Sequence, residues 1–197
     1  LWERMNQAAL LENIPRYRPA IVIEQLAERF LPYLPDINGE THDDFWAEIH
    51  GRSSDILYTL DGKKVSKGKK GRDSFNVALQ YDRKNKVVEI RAENQDPHFY
   101  LPDVPFKKER LYILKVEIEA PGATNLQLFY SRLGKENDFP SEEDSAKYAL
   151  QKGENTLFIP LLSGDLGHRL RLDPGTVGGN YRLKEFAVRS FDKTHLQ

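Results

Sequence analysis

Arg169, Arg171 and Asp173 alternate with Leu170 and Leu172, a period of two that places all three polar side chains on one face of a strand. Arginine donates through a planar fork, so a basic pair beside a carboxylate suits an acidic or hydroxyl-rich ligand. The same row equally serves as a ladder of ion pairs across strands, and Asp173-Pro174-Gly175 has the composition of a turn. Flat aromatic faces supply the other half of such a site, because they stack on C–H surfaces while rim polar groups take hydroxyls. The aromatic candidates are Tyr100, Phe129, Tyr130, Tyr148 and Tyr181, with Arg132, Gln127, Arg169, Arg171 and Asp173 as polar partners. The expected carbohydrate-binding set drawn from them is Tyr130, Arg132, Arg169, Arg171, Asp173 and Tyr181. Within Leu126 to Arg132, Phe129 and Tyr130 point to opposite faces, so one surface receives at most one of them; aromatics in such a strand otherwise join the core.

Other chemistries find little support. Asp165-Leu166-Gly167-His168 and Asp192-Lys193-Thr194-His195 both match Asp-x-x-His, but a nucleophile of the Gly-Asp-Ser type is absent from the chain, and the pattern alone supplies only a base and its orienter. No catalytic residue is expected. With no cysteine, disulfides, thiolate metal sites and cysteine nucleophiles are excluded. His42, His50, His98, His168 and His195 lack ligand-type spacing, and His42-Asp43-Asp44 is only a short acidic cluster, so neither metal nor cofactor is expected. The segment from Gly62 to Lys70 misses a phosphate loop, since five residues separate Gly62 from Gly68 and Lys70 stands where Ser or Thr would hold magnesium.

Charged residues make up 30% of the chain and nearly cancel to a net of -1, so no global field draws in nucleic acid or an acidic membrane. No apolar run reaches the roughly 18 to 20 residues that span a bilayer, and direct membrane insertion is not expected. The chain starts at Leu1 without an initiator Met, which suggests a processed or partial chain whose upstream part holds the chemistry.

These residues must be positioned by strands. Short strands with turn chemistry between them are predicted over Ile56 to Leu60, Phe75 to Tyr81, Val87 to Ala92, Phe99 to Leu101, Arg110 to Glu119, Asn125 to Arg132, Ser145 to Leu150, Asn155 to Leu161, His168 to Leu172 and Tyr181 to Phe191. Their number and spacing give a mainly β fold, an antiparallel, jelly-roll-like β-sandwich. Arg83 to Lys86, Pro121-Gly122 and Lys152 to Asn155 read as turns, and Asp61-Gly62 as a hairpin turn. Tyr112, Leu114, Val116 and Ile118 form an inward row, with Ile113, Lys115, Glu117 and Glu119 on a solvated face. Lys63 to Arg72, with six basic residues and two glycines, reads as a mobile loop. Upstream, apolar spacing predicts a helix ending near Asn13, and Ile21-Val22-Ile23 a buried strand, a short helix–strand extension. The predicted domains are residues 1–36 as an α/β remnant, 37–54 as a linker and 55–192 as the sandwich.

Two resemblances accompany these motifs. Asp96-Pro97, Leu101-Pro102, Leu126 to Ser131, Lys152 to Asn155, Arg169 to Gly175 and Tyr181 resemble the β-sandwich modules of bacterial polysaccharide-processing proteins, including glycosyltransferases and O-acetyltransferases. Arg18 to Leu31, with Ile21-Val22-Ile23 and the Ala27-Glu28-Arg29 triplet, is similar to the closing strand of SGNH-type hydrolase domains of the alginate O-acetyltransferase kind. Together they imply a non-catalytic exopolysaccharide-recognition module whose partners are a bacterial polysaccharide or oligosaccharide and the catalytic domain of its parent chain. They place it in the periplasm or at the cell surface, whereas a glycosyltransferase parent would keep it cytoplasmic. The alternative is a structural or interaction sandwich with no sugar binding of its own.

Overall fold

Most of the described strands alternate apolar and polar residues over much of their length, and a strand that buries only one face must find a second apolar layer. The computed structural model describes residues 42–52, 55–67, 73–93, 96–108, 110–161 and 163–191. The chain divides into two compact units, and the second, Asp43–Gln197, contains all the described strands. The helix and strand predicted upstream, the segment Arg18 to Leu31 and Asp192 to His195 lie outside the described residues.

In chain order the elements are α1 (His42–Arg52), β1 (Asp55–Thr59), α2 (Gly62–Ser66), β2 (Ser74–Phe75), β3 (Val77–Asp82), β4 (Val87–Ala92), β5 (His98–Tyr100), β6 (Leu111–Ala120), β7 (Thr124–Arg132), β8 (Ser145–Leu150), β9 (Gly153–Leu161), β10 (Leu166–Asp173) and β11 (Gly179–Phe191). Single 3-10 turns at Glu136–Asp138 and Glu142–Asp144 lie between β7 and β8. The strands form two antiparallel sheets, as the sequence predicts. One has the order β3-β4-β11-β6-β9 with β1 also pairing β11; the other runs β2-β5-β10-β7-β8. The first half of the long strand β11 pairs with β4 and its second half with β1, while β6 lines its other side.

Between the sheets lies one apolar layer that includes Ile90, Phe99, Leu114, Val116, Leu128, Leu170 and Leu172, all fully buried. Fully burying one such side chain contributes roughly 1.5–3 kcal/mol. Asp82 builds the predicted β3–β4 hairpin by accepting from Lys84 N at 2.9 Å and Asn85 N at 3.1 Å. At the crossover from β8 to β9, the Asn155 side chain accepts from Gln151 N at 2.8 Å and donates to the Gln151 carbonyl at 2.9 Å.

Four local expectations are corrected. The predicted strand Phe75 to Tyr81 is two strands in different sheets, because Asn76 adopts φ +51° and turns the chain from β2 into β3; asparagine tolerates that left-handed geometry. Asp61-Gly62 is not a hairpin turn. Asp61 caps α2, its Oδ1 accepting from Lys63 N at 3.0 Å and Lys64 N at 3.4 Å, which satisfies donors the first helical turn leaves open. The start of the Lys63 to Arg72 segment is therefore helical, anchored by Val65 in the core; residues 68–72 lie outside the described set. Finally, the segment expected as a linker carries α1, whose Trp46 and Ile49 are sealed at 1% and 2% exposure.

Helix α1 packs on part of the outer face of the six-stranded sheet. Trp46 meets Phe191 with ring centroids 6.4 Å apart, and His50 meets Phe158 at 5.2 Å. Lys115, Glu117 and Glu119 lie on this face partly exposed, and Lys115 bridges Glu117 at 2.6 Å and Glu185 at 2.8 Å. Ile113 is the departure from the expected solvated row, being fully buried on that face between Arg189 and Pro160.

His50 carries a testable consequence. Its Nε2 is buried without a hydrogen-bond partner, and burial, then the charges of Arg189 and Lys115, hold its pKa below the usual value, with Glu185 opposing. A histidine depressed in the folded state contributes stability above its unfolded pKa of about 6.5 and loses it as pH falls toward the folded value. Thermal melts of wild type and His50→Phe between about pH 8 and about pH 5 should show a smaller acid-side fall in Tm in the variant. Equal falls in both proteins would contradict this account of His50.

Candidate functional site

The five-stranded sheet turns its own outer face away from both described helices, since α1 lies on the other sheet and α2 packs beside β3 and β4. Strand register decides what that face presents. In β10, Leu170 and Leu172 enter the core, so Arg169, Arg171 and Asp173 point outward. In β5 the inward residue is Phe99, which leaves His98 and Tyr100 outside. Phe75 sits opposite His98, Tyr100 and Phe129 flank Arg171, and Gln127 lies beside Asp173.

The outward rings form a connected row. Phe75 stacks on His98 at 4.8 Å and 25°, His98 meets Tyr100 edge-on at 6.1 Å, and Tyr100 meets Phe139 at 5.9 Å. The Arg169 guanidinium ends the row, lying over Tyr100 at 5.3 Å and over Phe139 at 5.4 Å. Cation–π geometry of this kind holds a long side chain in place while its charge stays near solvent. The Arg169 backbone is fixed as well, because Ser131 Oγ donates to its carbonyl at 3.2 Å and accepts from its amide at 3.1 Å.

Arg171, two residues on, is spent differently. Its guanidinium lies 4.4 Å over Phe129 and is bidentate on Asp173, with Nε to Oδ1 at 2.8 Å and the second nitrogen to Oδ2 at 2.6 Å. Asp96 approaches the same group at 3.5 Å. Burial pushes the Asp173 carboxyl above its ordinary range, with Arg171 pulling the other way. For Arg171 burial opposes the charge, but the Asp173 hydrogen bonds and charge outweigh it and the pKa rises. This pair is the ion-pair reading of the β10 row. It also closes Phe129, which is only 2% exposed.

Of the six residues expected in the site, Arg169, Arg171 and Asp173 come together on this face. Tyr130, Arg132 and Tyr181 do not. Tyr130 has the inward parity of Leu128 and packs against the core. Arg132 follows the same parity at the end of β7, where it bonds Asp144 at 2.5 Å and Asp165 at 3.2 Å; that ties the turn before β8 to the one before β10. Tyr181 belongs to the six-stranded sheet, is fully buried, and donates to the Val177 carbonyl at 2.5 Å. Tyr148, the other tyrosine considered, packs against the core too. Sequence reasoning missed Phe75, His98 and Phe139 as site residues. The first two follow from alternation with Phe99, but Phe139 comes from a loop that no periodicity reaches.

The Asp-x-x-His segment on β10 separates its two groups. Asp165 is engaged by Ser163 and Arg132, which hold its carboxyl below the usual range, the serine hydroxyl contributing most. His168 faces Asp103 instead, at 3.9 Å. Among the described residues there is no group of three or more His, Cys, Asp or Glu side chains able to hold a metal ion, and no helix long and apolar enough to cross a membrane. Two grooves, of about 540 and 750 Å³, lie along the six-stranded sheet instead, one beside Ile56 and Arg110 and the other beside Val77 and Gly179.

No protein-family model matches the chain, and no curated protein matches it. Solved structures with a similar course include the apo CBM1 of BiXyn10A, at 12% identity and TM-score 0.48, covering 69% of this chain and 99% of that one. A carbohydrate-binding module, CBM6cm-2, from Cellvibrio mixtus lichenase 5A in complex with cellotriose gives 9% and 0.49, covering 70% and 100%. The C-terminal CBM6 of LamC, a marine laminarinase from Zobellia galactanivorans, gives 9% and 0.45, covering 67% and 98%.

The placement of Tyr181 is open to direct test. Its hydroxyl fills the space beside Gly175, where a Cβ would lie 2.4 Å from it, so tyrosine and glycine together shape the turn between β10 and β11. Tyr181→Phe should lower stability in denaturant titration by about 1 kcal/mol through loss of one hydrogen bond, and leave ligand affinity unchanged. A loss of affinity without a loss of stability would return Tyr181 to the site.

Proposed function

We propose that this sandwich is a non-catalytic carbohydrate-binding module and that the outer face of the five-stranded sheet is its binding surface. The observation that carries the reading is the row Phe75, His98, Tyr100, Phe139 and Arg169, assembled from two strands of the sheet's β2–β5 edge, the loop after β7 and strand β10. Ring faces favour the C–H surfaces of sugars, and the guanidinium and Gln127 offer hydrogen bonds to hydroxyls alongside them. Catalysis would need an activated nucleophile or an acid–base pair in reach of a bound substrate, and the Asp173 carboxylate of this face is instead held bidentate by Arg171.

In this proposal the ligand is a bacterial exopolysaccharide, presented to the catalytic domain of a polysaccharide-modifying protein of the SGNH O-acyltransferase or glycosyltransferase kind. Holding a repeating polymer raises its effective concentration near such a domain, and weak individual contacts add by avidity. The periplasm or cell surface is the compartment that fits an O-acyltransferase parent.

Isothermal titration of the chain with a set of bacterial exopolysaccharides and their oligosaccharides tests the reading. At least one should bind, and Tyr100→Ala should weaken that binding about tenfold, or about 1.4 kcal/mol. Absence of binding across the set would favour a sandwich that serves only as a structural or interaction module, and full affinity in the variant would place binding away from this face.

A further inference from the structure

The two outward arginines of β10 differ in what their charges meet. Arg171 has a bidentate carboxylate on one edge and Asp96 nearby. Lys147, across the face on β8, lies 3.8 Å from Glu142, which also receives the Gln127 amide at 3.0 Å. Among the described residues, the Arg169 side chain meets the rings of Tyr100 and Phe139, and no carboxylate pairs with it. Aromatic rings packed against one side of a guanidinium hold it in place while leaving N–H groups in its plane for a ligand. A group so held is pre-organised to receive an anion edge-on, because the entropy of fixing the side chain is already lost.

We infer that the bound glycan is anionic and that Arg169 is the residue that reads its charge, receiving one carboxylate or sulfate ester edge-on beside Tyr100 and Phe139. This rests on the carbohydrate-binding reading and narrows it to acidic polysaccharides. A neutral hydroxyl would use one donor of the fork; two anionic oxygens match the fork bidentately, and charge-assisted bonds are about twice as strong as neutral ones. The neighbouring Arg171–Asp173 pair sharpens the choice, since its own charges cancel and it adds no competing attraction for the anion. The acid group would sit at the end of the aromatic row, with the neutral sugar rings lying toward the partly exposed Tyr100 and Phe75.

The test compares each acidic polymer with its own neutral form. Uronate polymers of several linkages are titrated against their carboxyl-reduced counterparts, and sulfated galactans against their desulfated ones, using wild type, R169Q and R169K. At least one acidic form should bind about tenfold more tightly than its neutral counterpart, and that preference should shrink when salt is raised from about 50 mM to about 500 mM. R169Q should abolish the preference, weakening the acidic form more than the neutral one, and R169K, which keeps charge without the fork, should retain only a small part of it. A preference confined to the uronate pairs identifies the carboxylate, and one confined to the sulfated pairs the sulfate ester. Equal binding of acidic and neutral forms, or a preference that survives in both variants, overturns the inference and leaves carbohydrate binding standing. Binding to no glycan of either kind removes both readings. Thermal melts confirm folding, and R169K carries the comparison if R169Q does not fold.

Discussion

Leu170 and Leu172 are sealed against Leu128 and Phe99 in the core, and the period of two along β10 leaves their neighbours no choice of direction. Burial of the leucines is what aims Arg169, Arg171 and Asp173 at solvent. A slip of one residue in this strand would drive two guanidinium groups into the apolar layer, where an unpaired charge costs several kcal/mol. The core therefore specifies the outer face as firmly as it specifies the fold. Asp173 and Phe129 then hold Arg171 down, and Ser131 holds the backbone of Arg169. The aromatic row and its terminal cation are consequences of register.

The two outer faces of the sandwich have different fates. On the six-stranded sheet, Phe191 meets Trp46 and Phe158 meets His50 of α1, Ile113 is buried on the same face, and Lys115 and its two glutamates are partly exposed there. That face has become a second, smaller core. On the five-stranded sheet, aromatic side chains of comparable size remain partly exposed, with no described helix above them. Partly exposed rings gathered into one row are a more specific feature than scattered surface hydrophobics. The grooves along the other sheet lack such a row.

Alternation made most of the sandwich legible. The bounds predicted for Val87 to Ala92 and Ser145 to Leu150 coincide with β4 and β8, because each is a clean run between turn residues. The Asn76 corner escaped, since nothing in Phe75 to Tyr81 signals a change of sheet. Helix α2 escaped because its lysines mask one cap and one anchor, Asp61 and Val65. In the site, parity was readable but its sign was not always applied. Tyr130 shares the inward parity of Leu128, and Tyr181 that of Leu183, so both were core positions on the same argument that placed Arg169 outside. Phe139 depends on how a loop folds back over β10, which pattern cannot supply.

The most direct test is an amide chemical-shift titration of the chain with a glycan that it binds. The account predicts that the largest changes fall on residues of β5, β7 and β10 around Tyr100, Phe129, Arg169 and Arg171, and on Phe139. Changes centred on α1 and the six-stranded sheet, with the β10 amides unmoved at saturation, would contradict it.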